Sequence, residues 1–350
     1  MTPNQIMRFE QKSAPHAPPR ASVPVVMRRV LYALVPAALC YTWFFGYGLV
    51  LNFLLAGLGA SLTEAAVLKL RGHDARRALH DFSAVVTAAL LAFALPPLVP
   101  YWIPLLGGAI AILLAKQLYG GLGRNLFNPA MVGYVVLLLS FPVQMTQWVP
   151  PRMGDLDYHA LSLAEQLSYT FRGHLPPAVD VDALTRATPL DLVKEGVRAG
   201  RSFLEIRGGS LFGDFGGRGW EWVANLIAVG GLYLLYTGTI RWHIPVAMLG
   251  GLLVPAALFS LIDAARYASP GFHLFSGASM LGAFFIATDP VSAAATARGR
   301  LIYGAGIGLL TWVLRTWGSY PEGLAFAVLL MNGTVPLIDR YTRPRIYGQG

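Results

Sequence analysis

Ten apolar runs of roughly 17 to 22 residues recur along this chain, each long enough to cross the hydrocarbon core of a bilayer as a helix. They fall at about 27–45, 48–68, 82–99, 101–118, 127–143, 221–239, 243–262, 273–289, 301–317 and 322–338. A soluble chain of 350 residues has no single core large enough to hide this much apolar surface. A bilayer does, provided each span is a helix that satisfies its own backbone hydrogen bonds. Charged residues make up 13% of the chain, against about one-quarter in an average soluble domain. The pattern predicts an all-α polytopic membrane protein of about ten transmembrane helices. The pairs 27–45 with 48–68, and 82–99 with 101–118, nearly touch, so a merged or re-entrant segment is expected there if anywhere.

The basic residues give the orientation. With the N-terminus inside, the cytoplasmic pieces should hold the lysines and arginines. Seventeen fall there: Arg8, Lys12, Arg20, Arg28 and Arg29 in the tail, Lys69, Arg71, Arg76 and Arg77 after the second span, and Lys116, Arg124, Arg241, Arg298, Arg300, Arg340, Arg343 and Arg345 in later pieces. The short outside loops carry only Arg266 and Arg315, and the remaining eight lie in the long outside segment 144–220. The net charge of +9 is thus a topology signal. Scattered over so many short pieces, it is not a nucleic-acid surface.

The expected organisation is a cytoplasmic tail (1–26), a first membrane half (27–143), an outside extension (144–220), a second membrane half (221–338) and a cytoplasmic C-terminal tail (339–350). The first residues hold prolines and charges but no apolar core, so they are not a secretory signal. Five spans per half is an odd number, so the halves must be inverted relative to one another. The small-residue stretch 277–283 is matched with 83–89 on that basis. Acidic residues in the spans (Glu64, Asp81, Glu221, Asp289 and Asp339) all fall near predicted ends and read as interfacial or capping groups. No buried midplane carboxylate suggests an ion site. Cys40 alone makes no intramolecular disulfide and cannot by itself ligate an iron–sulfur cluster; its expected state is packed or lipid-facing, the alternative being a cluster shared with a partner chain.

The outside segment contains helix-like stretches at 160–171 and 189–200. Thr188-Pro189-Leu190-Asp191 has the form of a helix N-terminus, with a capping threonine, proline at the first helical position and an acid following. The longer stretch Asp182-Ala183-Leu184-Thr185-Arg186-Ala187-Thr188 has the form Asp-x-x-Ser/Thr-x-Ala-Thr, the acceptor pattern on which a flavin transferase esterifies FMN phosphate to the last threonine. Capping alone explains Thr188 and leaves Asp182, Thr185 and Ala187 unexplained. The two readings are compatible, because a phosphate on the cap residue would face unsatisfied backbone N–H groups at the positive end of the helix dipole. Arg186 is a candidate partner for that phosphate.

Two further stretches are specific. Gly120-Gly121-Leu122-Gly123-Arg124-Asn125-Leu126-Phe127-Asn128-Pro129 interrupts the chain at the fifth span. Its Asn125 and Asn128, three apart, are expected to share a face of a helical turn, with amides suited to the edge of an isoalloxazine ring. The alternative is a capping Asn125 and an Asn128 preceding proline in a turn. The stretch 275–290, from Phe275 to Pro290, combines small residues with a Thr288-Asp289-Pro290 stop. Either stretch would also suit a channel or secondary transporter for a small solute.

Together with Ile240-Arg241-Trp242-His243-Ile244-Pro245 and the heptapeptide, these stretches resemble the D-subunit family of the Rnf-type ion-translocating ferredoxin:NAD oxidoreductases. A more distant resemblance is to the B subunit of the sodium-pumping NADH:quinone oxidoreductase. The likeness runs from about residue 27 to 345. It implies covalent FMN at Thr188 and a second, non-covalent riboflavin near Asn125 and Asn128. It also implies redox-driven Na⁺ or H⁺ transport, a multi-pass protein of the bacterial inner membrane with its FMN-bearing segment periplasmic, and partner membrane and peripheral subunits. The chain has neither a nucleotide-binding glycine loop nor cluster-binding cysteines, so NAD and ferredoxin fall to those partners.

Overall fold

The computed structural model describes residues 22–75, 79–153, 161–177 and 179–343. The side chains of residues 182 and 183, most of the N-terminal tail with Arg8, Lys12 and Arg20, and Arg76, Arg77 and Arg345 lie outside the described residues. Among the described residues the protein is helical and has no β-strand, only an isolated bridge between Phe212 and Gly217.

The first half contains α1 (Val23–Phe45), α2 (Gly48–Leu70), α3 (Ser83–Ala94), α4 (Trp102–Ile112, continued by a π-helical turn, Leu113–Gln117) and α5 (Pro129–Ser140). A short α6 (Pro142–Met145) leads into the outside segment with α7 (Leu163–Arg172), α8 (Val181–Leu184), α9 (Pro189–Arg198) and α10 (Phe203–Arg207). The second half contains α11 (Trp220–Tyr236), α12 (His243–Ile262), α13 (Pro270–Phe275), α14 (Ser279–Leu281, continued by a π-helical turn, Gly282–Ile286), α15 (Ala297–Trp317) and α16 (Leu324–Thr342).

The two halves repeat one packing arrangement, and glycines reveal it. In the first half, a Cβ on Gly59 would collide with the Leu105 carbonyl, and one on Gly108 with the Ala56 carbonyl. In the second, a Cβ on Gly251 would collide with the Ala305 carbonyl, and one on Gly308 with the Met248 carbonyl. The same reciprocal approach, three residues apart on each helix, locks α2 to α4 and α12 to α15. Small residues permit such close contact in lipid, where no hydrophobic force drives helices together.

The halves are inverted. Helices α1 and α11 open their respective halves and run antiparallel. The start of α1 meets the end of α11 where Arg29 donates to the Thr237 carbonyl, at 3.4 Å. The end of α1 meets the start of α11 where Phe45 packs on Trp220, centroids 4.3 Å apart.

Three helices, α1, α2 and α12, are each long and apolar enough to cross a membrane by length and composition. Their outward faces are apolar, with Trp43 78%, Leu62 59% and Leu261 84% exposed, as lipid contact requires. Other expected spans depart from full length. Helix α3 stops at Ala94, and the following irregular backbone, residues 95–99, is buried in protein. Asn52 meets its needs by donating to the Pro96 carbonyl at 2.9 Å. Non-helical backbone at membrane depth is tolerated only in such settings. The expected span 273–289 is likewise broken between α13 and α14. The runs 82–99 and 101–118 appear as two separate helices, α3 and α4, joined by that buried backbone, and the second half has a comparable break. The helix-like stretches of the outside segment appear as α7 and α9. Cys40 is half-buried against the core.

One expectation about charge fails. Asp81, Glu221, Asp289 and Asp339 do accept hydrogen bonds from nearby backbone N–H groups at element ends. Glu64 does not behave this way. It is 1% exposed, and its carboxylate lies 2.5 Å from the Lys116 ammonium. Lys116, expected at the cytoplasmic surface, is 2% exposed and also donates to Ser83 Oγ at 2.6 Å. Lys116 lies in the last turn of its element and Glu64 within two turns of the end of α2, which in sequence suggests the interface. The close α2–α4 approach draws them together inside the protein instead.

Candidate functional site

A cleft of about 1270 Å³, including its opening to solvent, lies between the two halves. Its walls are mostly apolar, as ligand sites usually are. The first half supplies Phe93, Met131 and Tyr134, and the second supplies Trp220, Ile227 and Leu281. The outside segment closes one side with Trp148 and the start of α9, Thr188 to Asp191. Trp148 and Trp220 meet edge to face, with centroids 5.5 Å apart.

Thr188 is held by a complete capping box. Its Oγ1 donates to Asp191 Oδ2 at 2.6 Å and accepts from Asp191 N at 3.2 Å, while Thr188 N donates to Asp191 Oδ2 at 2.9 Å. Pro189 occupies the first helical turn, as the sequence suggested. The hydroxyl is therefore fixed in direction and half-buried on the cleft.

The rest of the heptapeptide is a short extended run between α8 and α9. Thr185 Oγ1 donates to the Val181 carbonyl at 3.1 Å and terminates α8. Ala187 and Arg186 are exposed, and Arg186 N donates to the Trp148 carbonyl at 2.8 Å. The side chain of Asp182 is outside the described residues. Arg186 and Arg218 both line a small hollow beside Thr188, so cationic groups stand next to the hydroxyl.

The asparagines are arranged differently from expectation. Residues 118–128 form turns, with Gly120, Gly121 and Gly123 at positive φ, so Asn125 and Asn128 do not share a helical turn. Asn128, not Asn125, is the cap: its Oδ1 accepts from Met131 N at 3.2 Å, with Pro129 following. Its other groups are also used. Asn128 Nδ2 donates to the Ile286 carbonyl at 3.3 Å, and its N donates to Asn332 Oδ1 at 3.0 Å. Asn332 is fully buried and donates to Tyr303 Oη at 2.7 Å and to the Ser292 carbonyl at 3.1 Å. This network ties α5 to α15, α16 and the π-turn of the second half. Met131 and Ile286, which contact it directly, also line the cleft. Asn125 Nδ2 donates to the Phe127 carbonyl, while its Oδ1 is buried and has no partner.

Sequence reasoning missed Asn332, Tyr134, Trp148 and Trp220. A lone asparagine inside the apolar run 322–338 was the available signal for the first. The two tryptophans lie near the ends of the outside segment, where aromatic residues commonly mark the membrane interface, and that prior hides a binding role.

This is an inverted-repeat membrane protein with a cleft where the two halves meet. Residues 10–348 match the model of the NQR2, RnfD, RnfE family, and the chain belongs to that family. It is 50% identical over 349 residues to the D subunit of an ion-translocating oxidoreductase complex from Aliivibrio salmonicida (strain LFI1238), covering 98% of this chain and 99% of that one. D subunits of the same description from Klebsiella pneumoniae (strain 342) and Salmonella typhi are each 49% identical over 350 residues, with the same coverage.

Proposed function

We propose that this chain is the membrane flavoprotein subunit of a redox-driven, ion-translocating oxidoreductase complex, with FMN esterified to Thr188 through its phosphate. The observation that carries this reading is a capped, directed threonine hydroxyl on an aromatic-lined cleft between two inverted membrane halves. Full-length likeness to the D subunits of ion-translocating oxidoreductase complexes supports the complex and the coupling to ion transport.

The residues present fit such a group. Trp148, Trp220 and Tyr134 offer faces for a planar ring. Arg186 and Arg218 offer guanidinium groups for a phosphate diester. When bound, the flavin supplies one- and two-electron redox chemistry. The chain's own part is to fix the attachment oxygen, exclude water from the apolar cleft and set the position of the ring. Tethering holds the group at high local concentration whatever its affinity. A second, non-covalent riboflavin is assigned to the neighbourhood of Asn125, whose unpaired Oδ1 is available to a ring N–H; Asn128 would position it through the adjoining network. Na⁺ or H⁺ is the transported ion, the other subunits handle NAD and ferredoxin, and a flavin transferase loads Thr188.

Trypsin should release Ala187–Lys194, in which Thr188 is the only hydroxyl-bearing residue. Mass spectrometry of that peptide from the active complex should find it heavier by one FMN less one water. An unmodified peptide would overturn the assignment.

The orientation has its own test. With Cys40 replaced by serine, a membrane-impermeant thiol reagent applied to intact cells should label Asp180→Cys and leave Lys69→Cys unlabelled. Both positions are exposed, so accessibility in lysed cells serves as the control. The inner membrane and a periplasmic Thr188 segment follow from that pattern, and the reverse labelling removes them.

A further inference from the structure

A second cavity, of about 1460 Å³ including its opening, lies on the same side of the protein as Thr188, between α9, the α12–α13 loop and the end of α15. Its lining holds five cationic residues, Lys194, Arg198, Arg201, Arg266 and Arg315, and no carboxylate. Arg266 and Arg315 are the two basic residues that the short outside loops carry against the charge rule. Both converge here with three from the outside segment.

Among the described residues, only Arg315 of these five has a carboxylate partner: it pairs with Glu322 at 2.7 Å. Lys194 Nζ donates to the Leu314 and Tyr320 carbonyls, and Arg198 donates to the Gly318 carbonyl at 2.9 Å. Those acceptors are neutral, so neither side chain has a carboxylate in direct contact among the described residues. Burial and the charge of Arg198 pull the Lys194 ammonium down to about 8, although Asp191 and Glu322 act against them from the cleft side. His273, which also lines the cavity, is 6% exposed, and its Nδ1 has no partner.

The apolar surroundings favour one class of anion over others. Trp317 lines the cavity and is 50% exposed, and it packs with Phe259 and Trp312. At the end of α12, Leu261 and Ile262 are 84% and 77% exposed. A ligand here would meet a cationic pocket at its head and an apolar, aromatic-belted helix surface beside it, the arrangement found at a membrane interface.

We propose that this cavity binds the phosphodiester headgroup of an anionic phospholipid, with its acyl chains lying along the exposed ends of α12 and α15. The site does not depend on the flavin reading. Arg198, Arg201 and Arg266, exposed and without ion-pair partners among the described residues, provide charge at the opening; Lys194 and Arg315, both buried, provide it deeper.

The test uses the full-length chain reconstituted in nanodiscs of equimolar phosphatidylglycerol and phosphatidylcholine, then extracted and measured by native mass spectrometry. Retained lipid should be enriched about tenfold in phosphatidylglycerol, as several charge-assisted contacts imply. Replacing Arg198, Arg201 and Arg266 together by glutamine should abolish the enrichment, and replacing them by lysine should keep most of it. The Arg201→Gln, Arg266→Gln pair, which breaks no side-chain hydrogen bond among the described residues, should reduce enrichment severalfold without changing the melting temperature in pure phosphatidylcholine. Inorganic phosphate at millimolar concentration should not displace the lipid. Equal retention of both lipids, enrichment unchanged in the glutamine variants, or full displacement by inorganic phosphate would each overturn the proposal.

Discussion

Thr188→Ala should eliminate covalent flavin from this protein, leaving a dark band where the wild type, denatured and resolved in a gel, fluoresces under ultraviolet light. The loss should be complete, because the substitution removes the only oxygen to which the phosphate can be esterified at that position. Thr185→Ala should leave the band fluorescent. Thr185 spends its hydroxyl on the Val181 carbonyl at the end of α8, so its loss loosens a turn without removing an attachment point. The control for folding is built in. Thr188 is also the cap of α9, and losing a threonine cap costs roughly 1 kcal/mol, too little to unfold a helix anchored by Leu190 and Val193. A dark wild type, co-expressed with a flavin transferase, would remove the flavoprotein reading and leave the family membership untouched.

Those two threonines show how much of the candidate site can be read from the sequence. The spacing of the heptapeptide singles out Thr188, and the structure gives that residue a fixed direction beside a cleft. The cleft itself was not legible. It forms because α3 stops at Ala94, just ahead of Pro96 and Pro97, and the 273–289 run breaks at Ser276–Ala278, where Gly277 takes a positive φ; both breaker signals lie inside runs that hydropathy alone reads as unbroken spans. Apolar periodicity reports how much surface must leave water, not where a helix ends within lipid.

Fold class was legible for the same reason. Long apolar runs leave a chain few choices other than helices, and an odd number of runs per half implies inversion. The detailed match between halves was not readable, because a few close glycine contacts carry it. The match of 83–89 with 277–283 is two residues out of step. Ser83 accepts from Lys116, and its counterpart is Ser279, which accepts from Arg315 at 2.9 Å. Each half therefore anchors one buried cation to a serine at the start of its interrupted element. The asparagine pair misled for a related reason. A spacing of three implies a shared face only inside a helix, and the positive-φ glycines before Asn125 keep it outside one.

Removing one member of the Glu64–Lys116 pair should be among the most destabilising single changes in the membrane halves. Both side chains are almost fully buried, and the pair sits in a wider set. Lys116 also bonds Ser83 and lies 3.9 Å from Asp81, while Gln117 donates to Glu64 at 3.1 Å. Glu64→Gln leaves an ammonium in a nearly dry environment with the more distant Asp81 as its remaining carboxylate. Lys116→Met leaves a carboxylate with a single amide donor. Breaking a buried pair from one side costs roughly 3–5 kcal/mol, mostly because the survivor stays desolvated and uncompensated. Removing both charges together, as Glu64→Gln with Lys116→Met, should recover much of that loss, because an apolar or neutral replacement of similar volume is often close to neutral. A double-mutant cycle on unfolding in mixed detergent micelles measures the difference. The expected signature is a double variant more stable than either single one. If the losses simply add, the two charges are not coupled, and the α2–α4 contact rather than the ion pair determines stability at this end of the first half.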